Sequence, residues 1–186
     1  MESVDRFSNL TARECADEVR ADLLRRLAGH QIEIHSKAER KFDYLPDEFA
    51  FVIEVKNPFP GGIDLELEVA DEITLFFGCW HAHYAFNLEE YEWEFLEGLQ
   101  GFLAGKTSVI SFWHENAWLS SSCSQNPLSV QMGWEALIAE SFLDFEDKEM
   151  MQKINRPGGL IKVENWFPEK SFQLTWPGMS SQSGLR

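Results

Sequence analysis

The 186-residue sequence has no P-loop, no G-x-G-x-x-G, no G-x-S-x-G and no H-E-x-x-H. Phosphate-cradling loops, the nucleophile elbow and the helical zinc-protease site therefore lack their sequence carriers. It has only three cysteines, Cys15, Cys79 and Cys123, far apart and without CxxC spacing. That excludes a disulfide framework and a thiolate zinc site. The longest apolar runs, such as Phe51–Ile53 and Leu75–Phe77, are far too short to cross a bilayer. The opening MESVDRFSNL has neither a basic nor an apolar signal region. The cytoplasm is the expected compartment, and no membrane partner is expected.

Positive charge is also scarce. Sixteen Lys and Arg face 31 Asp and Glu, for a formal net charge of −15. Residues 41–150 hold 21 of the acids and 4 of the bases, a net of −17. A field of that sign repels nucleic-acid phosphates and speeds encounter with a basic protein. No nucleic-acid partner and no cofactor are expected. Hydrophobic residues make up 44% and charged residues 25%, ordinary for a chain with a real core.

The local pattern predicts α+β. Thr11 and Glu14 form a capping box before Cys15, Ala16, Val19, Leu23 and Leu27 at helical spacing. Strands are predicted at Ile32–Ile34, Phe49–Lys56 and Ile63–Val69. In the last, Ile63, Leu65, Leu67 and Val69 alternate with acids on a wet face. Ile73–Tyr84 is expected as one long strand, Gly78 marking a bulge or close backbone approach. A helix follows from about Leu88 to Ala104, with Asn87 as N-cap and Glu90 completing its box. Val109–His114 and Ala117–Ser121 read as a hairpin across Glu115-Asn116, and Ser120–Pro127 as a polar loop. One or two helices between Gly133 and Ile154 precede strands Leu160–Trp166 and Phe172–Trp176. Residues 1–178 are expected to form a single α+β domain, with an antiparallel or mixed sheet of about six to eight strands packed on two or three helices. Residues 179–186 are expected as a flexible tail. Ile53–Pro60 echoes Ile161–Pro168 with charges swapped, so as neighbouring strands the two could pair.

Three constellations bear on function. On the Leu88–Ala104 helix, Trp93 falls among Glu90, Glu94 and Glu97, away from the apolar stripe. Exposed Trp anchors interfaces and acids steer a basic partner, so these four are the candidate partner-binding residues. The competing reading covers Trp93 with another element. Second, Trp80, Trp113 and Trp118 could line an aromatic small-molecule pocket; Trp113 and Trp118 flank the hairpin turn. Third, His81 and His83 share a strand face and His114 ends another strand, a donor set suited to zinc. Glu92 falls within the apolar stripe, as a further ligand, a base, or a residue paired structurally with Lys or His. The metal-dependent enzyme is the alternative to a non-enzymatic binder, with no catalytic residue assigned to the latter.

Asp71–Ser122 carries FFGCWHAHY, then an acidic amphipathic helix, then SFWHENAWLSSS. In this order the segment resembles parts of small acidic α+β immunity proteins that accompany bacterial polymorphic toxins, and it also resembles uncharacterised bacterial α+β domains of similar size. The resemblance implies a cytosolic protein that blocks a basic toxin enzyme with an acidic, aromatic surface.

Overall fold

The computed structural model describes residues 5–36, 39, 49–141, 148–176 and 179–181. It is α+β, with every strand pairing recorded in register antiparallel. The described strands form two five-stranded sheets. The chain divides into two compact units that interleave in sequence. Residues 1–58, 64–77 and 81–100 make the first, and 59–63, 78–80 and 101–186 the second.

In the first unit, α1 spans Ala12–Arg26 and begins with the expected box. The Thr11 hydroxyl accepts from the Glu14 amide, and the Glu14 carboxylate accepts from the Thr11 amide at 2.8 Å. Cys15, Ala16, Val19 and Leu23 are its buried stripe, and Asp22 is buried among them. The sheet runs in chain order through β1 (Ile32–Ser36), β2 (Phe51–Val55), β3 (Leu65–Val69), β4 (Ile73–Phe77) and β5 (Trp80–Tyr84). Its apolar face is dry: Ile53, Val55, Leu65, Leu67, Val69, Ile73, Leu75 and Phe77 are all fully buried. At about 25 cal/mol per Å² of apolar surface, each contributes on the order of 2 kcal/mol. The opposite face of β3 is not the wet face that alternation suggested. Glu68 is only 5% exposed, and Glu54 of β2 only 7%. Burial of a carboxylate demands partners, and neither lacks them.

The expected long strand is instead β4 and β5, joined at Gly78-Cys79. Gly78 has φ +61°, a sign costly to a side-chain-bearing residue and suited to a two-residue hairpin turn. It is also a close approach: a Cβ there would lie 2.8 Å from the Glu164 carboxylate.

The helix expected from Leu88 begins as π-helix over Glu89–Phe95 and continues as α2, Leu96–Leu103. The Leu96 amide donates to the Tyr91 carbonyl, the i→i+5 bond that widens the turn.

In the second unit the sheet order is β10-β9-β8-β6-β7. Strands β6 (Ser108–His114) and β7 (Ala117–Ser124) form the expected hairpin. Its turn residues Glu115 and Asn116 have φ +50° and +68°, the signs of a type I′ turn. The predicted loop from Ser120 is strand as far as Ser124, because Ser120–Ser124 continue the ladder against Ser108–Phe112. Helices α3 (Gly133–Glu140) and α4 (Lys148–Ile154) precede β8 (Gly159–Asn165), β9 (Phe172–Thr175) and β10 (Met179–Ser181). One core joins Ile110 and Phe112 of β6, Trp134, Leu137 and Ile138 of α3, Ile154 of α4, Ile161 and Val163 of β8, and Phe172 and Leu174 of β9. The segment expected as a tail supplies β10, and residues 182–186 lie outside the described residues. The two echoing segments lie in different sheets, β2 in one and β8 in the other, so they are not neighbours and their swapped charges do not pair across a ladder.

Candidate functional site

The π-helical segment builds an acidic concavity with an aromatic edge. Asn87 opens the helix: its side-chain oxygen accepts from the Glu90 amide at 2.8 Å. The Glu90 carboxylate accepts from the Ala85 amide at 2.6 Å and the Asn87 side-chain amide at 3.0 Å. The Ala85 bond first, and then the Asn87 bond, hold the Glu90 carboxyl below the usual glutamate range. It stays ionised, but its oxygens are committed to the cap. Trp93 is 63% exposed, the most exposed large apolar side chain among the described residues. A shallow concavity of about 710 Å³ is lined by Asp5, Asn87, Leu88, Glu89, Glu90, Trp93 and Glu94. Four carboxylates and one indole therefore converge on one opening. The structure brings Glu90, Trp93 and Glu94 together there, whereas Glu97, exposed on α2, does not line it. Asp5 and Glu89 were missed. A wheel drawn at 100° per residue separates Glu89 from Glu94, but a turn closed by i→i+5 bonds brings them to one side.

Among the described residues, the ion-pair partners of Glu92 are arginines and not Lys or His. Its carboxylate lies 3.1 Å from the Arg6 guanidinium and 3.9 Å from that of Arg26. Arg6 also lies over the rings of Phe7 and Tyr91, 4.8 Å from each centroid.

The histidines divide between the units. His81 and His83 share a face of β5, as alternation predicted, with ring centroids 5.2 Å apart. Nδ1 of His83 faces the Glu72 carboxylate at 2.6 Å and the Thr74 hydroxyl at 3.1 Å. His114 belongs to the second unit, where its Nε2 accepts from Arg156 Nε at 3.0 Å. Among the described residues, the three-ligand group with metal-like spacing is Glu33, His35 and Glu54, their ligand atoms within 4.8 Å of one another. The signal was Glu-x-His on β1, with Glu33 registered opposite Glu54. A lysine already occupies this cluster: Lys56 Nζ lies 2.5 Å from Glu54, 3.5 Å from Glu33 and 3.3 Å from Asp64.

Of the tryptophans, Trp113 and Trp118 are register partners across the hairpin. Trp113 donates its indole N–H to Ser111 and carries the Lys162 ammonium 4.2 Å above its ring. Trp80 packs on Phe102 at 5.4 Å. Burial raises the Cys79 and Cys123 thiols, so neither is an activated nucleophile at neutral pH.

Comparison with family models, with curated proteins and with solved structures finds no match to this chain. No described helix is long and apolar enough to cross a membrane.

Proposed function

We propose that this chain is a cytosolic, non-enzymatic module that captures a basic protein on the Trp93 surface, in the manner of an immunity protein against a cationic toxin enzyme. The observation that carries the reading is Trp93 itself. An indole this exposed costs solubility, and here it stands beside an opening ringed by carboxylates. Its flat apolar face supplies an anchor, and Glu89 and Glu94 supply the field that draws in lysines and arginines. Of the central acids elsewhere, Glu92 pairs with Arg6, Asp64 with Lys56 and Glu72 with His83, whereas this opening gathers four carboxylates beside the exposed indole.

The test is affinity capture from the cytoplasm of the source cell, then titration of the captured protein against the wild type and two variants. Trp93→Ala and the double variant Glu94→Lys/Glu97→Lys should both weaken binding, and the wild-type affinity should fall across a salt series. A partner whose affinity ignores both the variants and the salt contradicts the reading.

A further inference from the structure

The second unit carries an opening of the opposite character. A cavity of about 460 Å³ forms where the turn after α2 meets the end of β8 and the loop after β7. That volume is in the range of small-molecule sites. Among the described residues its lining includes Lys106 and Lys170 and no carboxylate. In a chain with 31 acids and 16 bases, that combination is the reverse of what composition favours.

The floor is rigid and polar. Asn165 is 2% exposed, and its side-chain amide donates to the Gly105 carbonyl, the Thr107 carbonyl and the Ser108 hydroxyl. Its side-chain oxygen accepts from the Phe167 amide at 3.0 Å. Ser108 is 6% exposed, and its hydroxyl accepts from Asn165 at 2.8 Å and keeps its own hydrogen to donate. Lys170 Nζ spends one donor on the Gly105 carbonyl at 3.0 Å, leaving two of its three. Lys106 is exposed and, among the described residues, has no carboxylate within ion-pair distance. Pro127 and Leu128 give the cavity an apolar wall. Among the described residues, Glu140 holds the Asn126 side chain at 2.7 Å and does not itself line the opening.

We infer that this cavity binds a small organic oxyanion, its carboxylate or phosphate head held by Lys106, Lys170 and the Ser108 hydroxyl and its apolar part against Pro127 and Leu128. Cations at a helix C-terminus also serve as caps, and Lys170 does so through Gly105. Among the described residues the Lys106 ammonium has no carbonyl partner, so this lysine isolates the ligand-binding role.

The experiment titrates inorganic phosphate and, separately, acetate into the 15N-labelled chain at constant ionic strength. The expected result is saturable shifts of the Lys106, Ser108 and Asn165 resonances with at least one anion. Lys106→Ala should weaken the response about fivefold, as the loss of one partly exposed charge contact implies. Ser108→Ala should weaken it as well, and Lys153→Ala, whose lysine pairs with Glu149 on α4, should leave it unchanged. Tighter phosphate binding assigns the head group as phosphate, and tighter or equal acetate binding assigns it as carboxylate. Absence of saturable shifts with both anions, or equal weakening by Lys153→Ala, overturns the inference.

Discussion

The Tyr91 phenol donates a 2.8 Å hydrogen bond to the Asp22 carboxylate, joining the π-helical segment to α1 across 69 residues of sequence. Asp22 is 5% exposed and also accepts from Arg25 at 2.9 Å and Arg26 at 2.8 Å. Burial works to raise its pKa, but the hydrogen bonds from Arg26, Tyr91 and Arg25 outweigh burial and hold the carboxyl below the usual aspartate range. Burial, reinforced by Asp22, pushes the Tyr91 phenol upward, so it remains a donor. This pair positions the segment that carries Trp93.

Asp22→Asn should therefore destabilise the chain by about 2 kcal/mol, since it weakens the charge-assisted hydrogen bonds from Arg25 and Arg26. Tyr91→Phe should cost about 1 kcal/mol. The pH dependence has a definite sign. A depressed carboxyl stabilises above its unfolded pKa, and that contribution is lost as pH falls through the folded value. Thermal unfolding between neutral and acid pH should show wild type losing stability faster than Asp22→Asn.

Glu164 works in the opposite direction. Burial raises its carboxyl, and Lys162 only partly offsets this. A raised acid binds its proton more tightly folded than unfolded, so stability falls as pH climbs from the unfolded value through the folded one. Glu164→Gln should raise the melting temperature at neutral pH and have little effect in acid. A lower melting temperature at neutral pH would mean the charge itself is needed.

The hairpin turn places two side-chain-bearing residues at positive φ, and Glu115 is the less suited to it. Replacing the pair with Asn-Gly, the preferred type I′ sequence, should stabilise by about 1 kcal/mol. Denaturant midpoints check this directly.

Within the acidic opening, stability and binding separate by residue. Trp93→Ala and Glu94→Lys alter exposed side chains and should change stability by no more than about 0.5 kcal/mol. Glu90→Ala removes the bonds to Ala85 and Asn87 and should cost about 1 kcal/mol, like the loss of a helix cap. Charge reversal at Glu90 therefore confounds folding with affinity, and Glu94 and Glu97 are the clean positions.

Local signals carried much of the fold. The Thr11–Glu14 box and the Glu115-Asn116 turn are each set by neighbours within a few residues, and each is where sequence placed it. Three features were not legible because distant partners decide them. Asp22 belongs in a buried stripe only because Tyr91 and three arginines surround it. Glu68 seemed solvent-facing because alternation specifies two faces and not what lies against each. The Asp5–Glu89–Glu94 grouping depends on a π-turn, which no capping or periodicity rule announces. Trp93, by contrast, was already set apart from the apolar stripe, and it is exposed.

The most direct test puts a photo-crosslinking amino acid in place of Trp93 and illuminates the living source cell. A discrete adduct with a basic protein, lost when Glu94 and Glu97 are both changed to lysine, is the predicted result. If position 93 yields no adduct, or an adduct that persists unchanged in the charge-reversed variant, the capture surface proposed for this chain is contradicted.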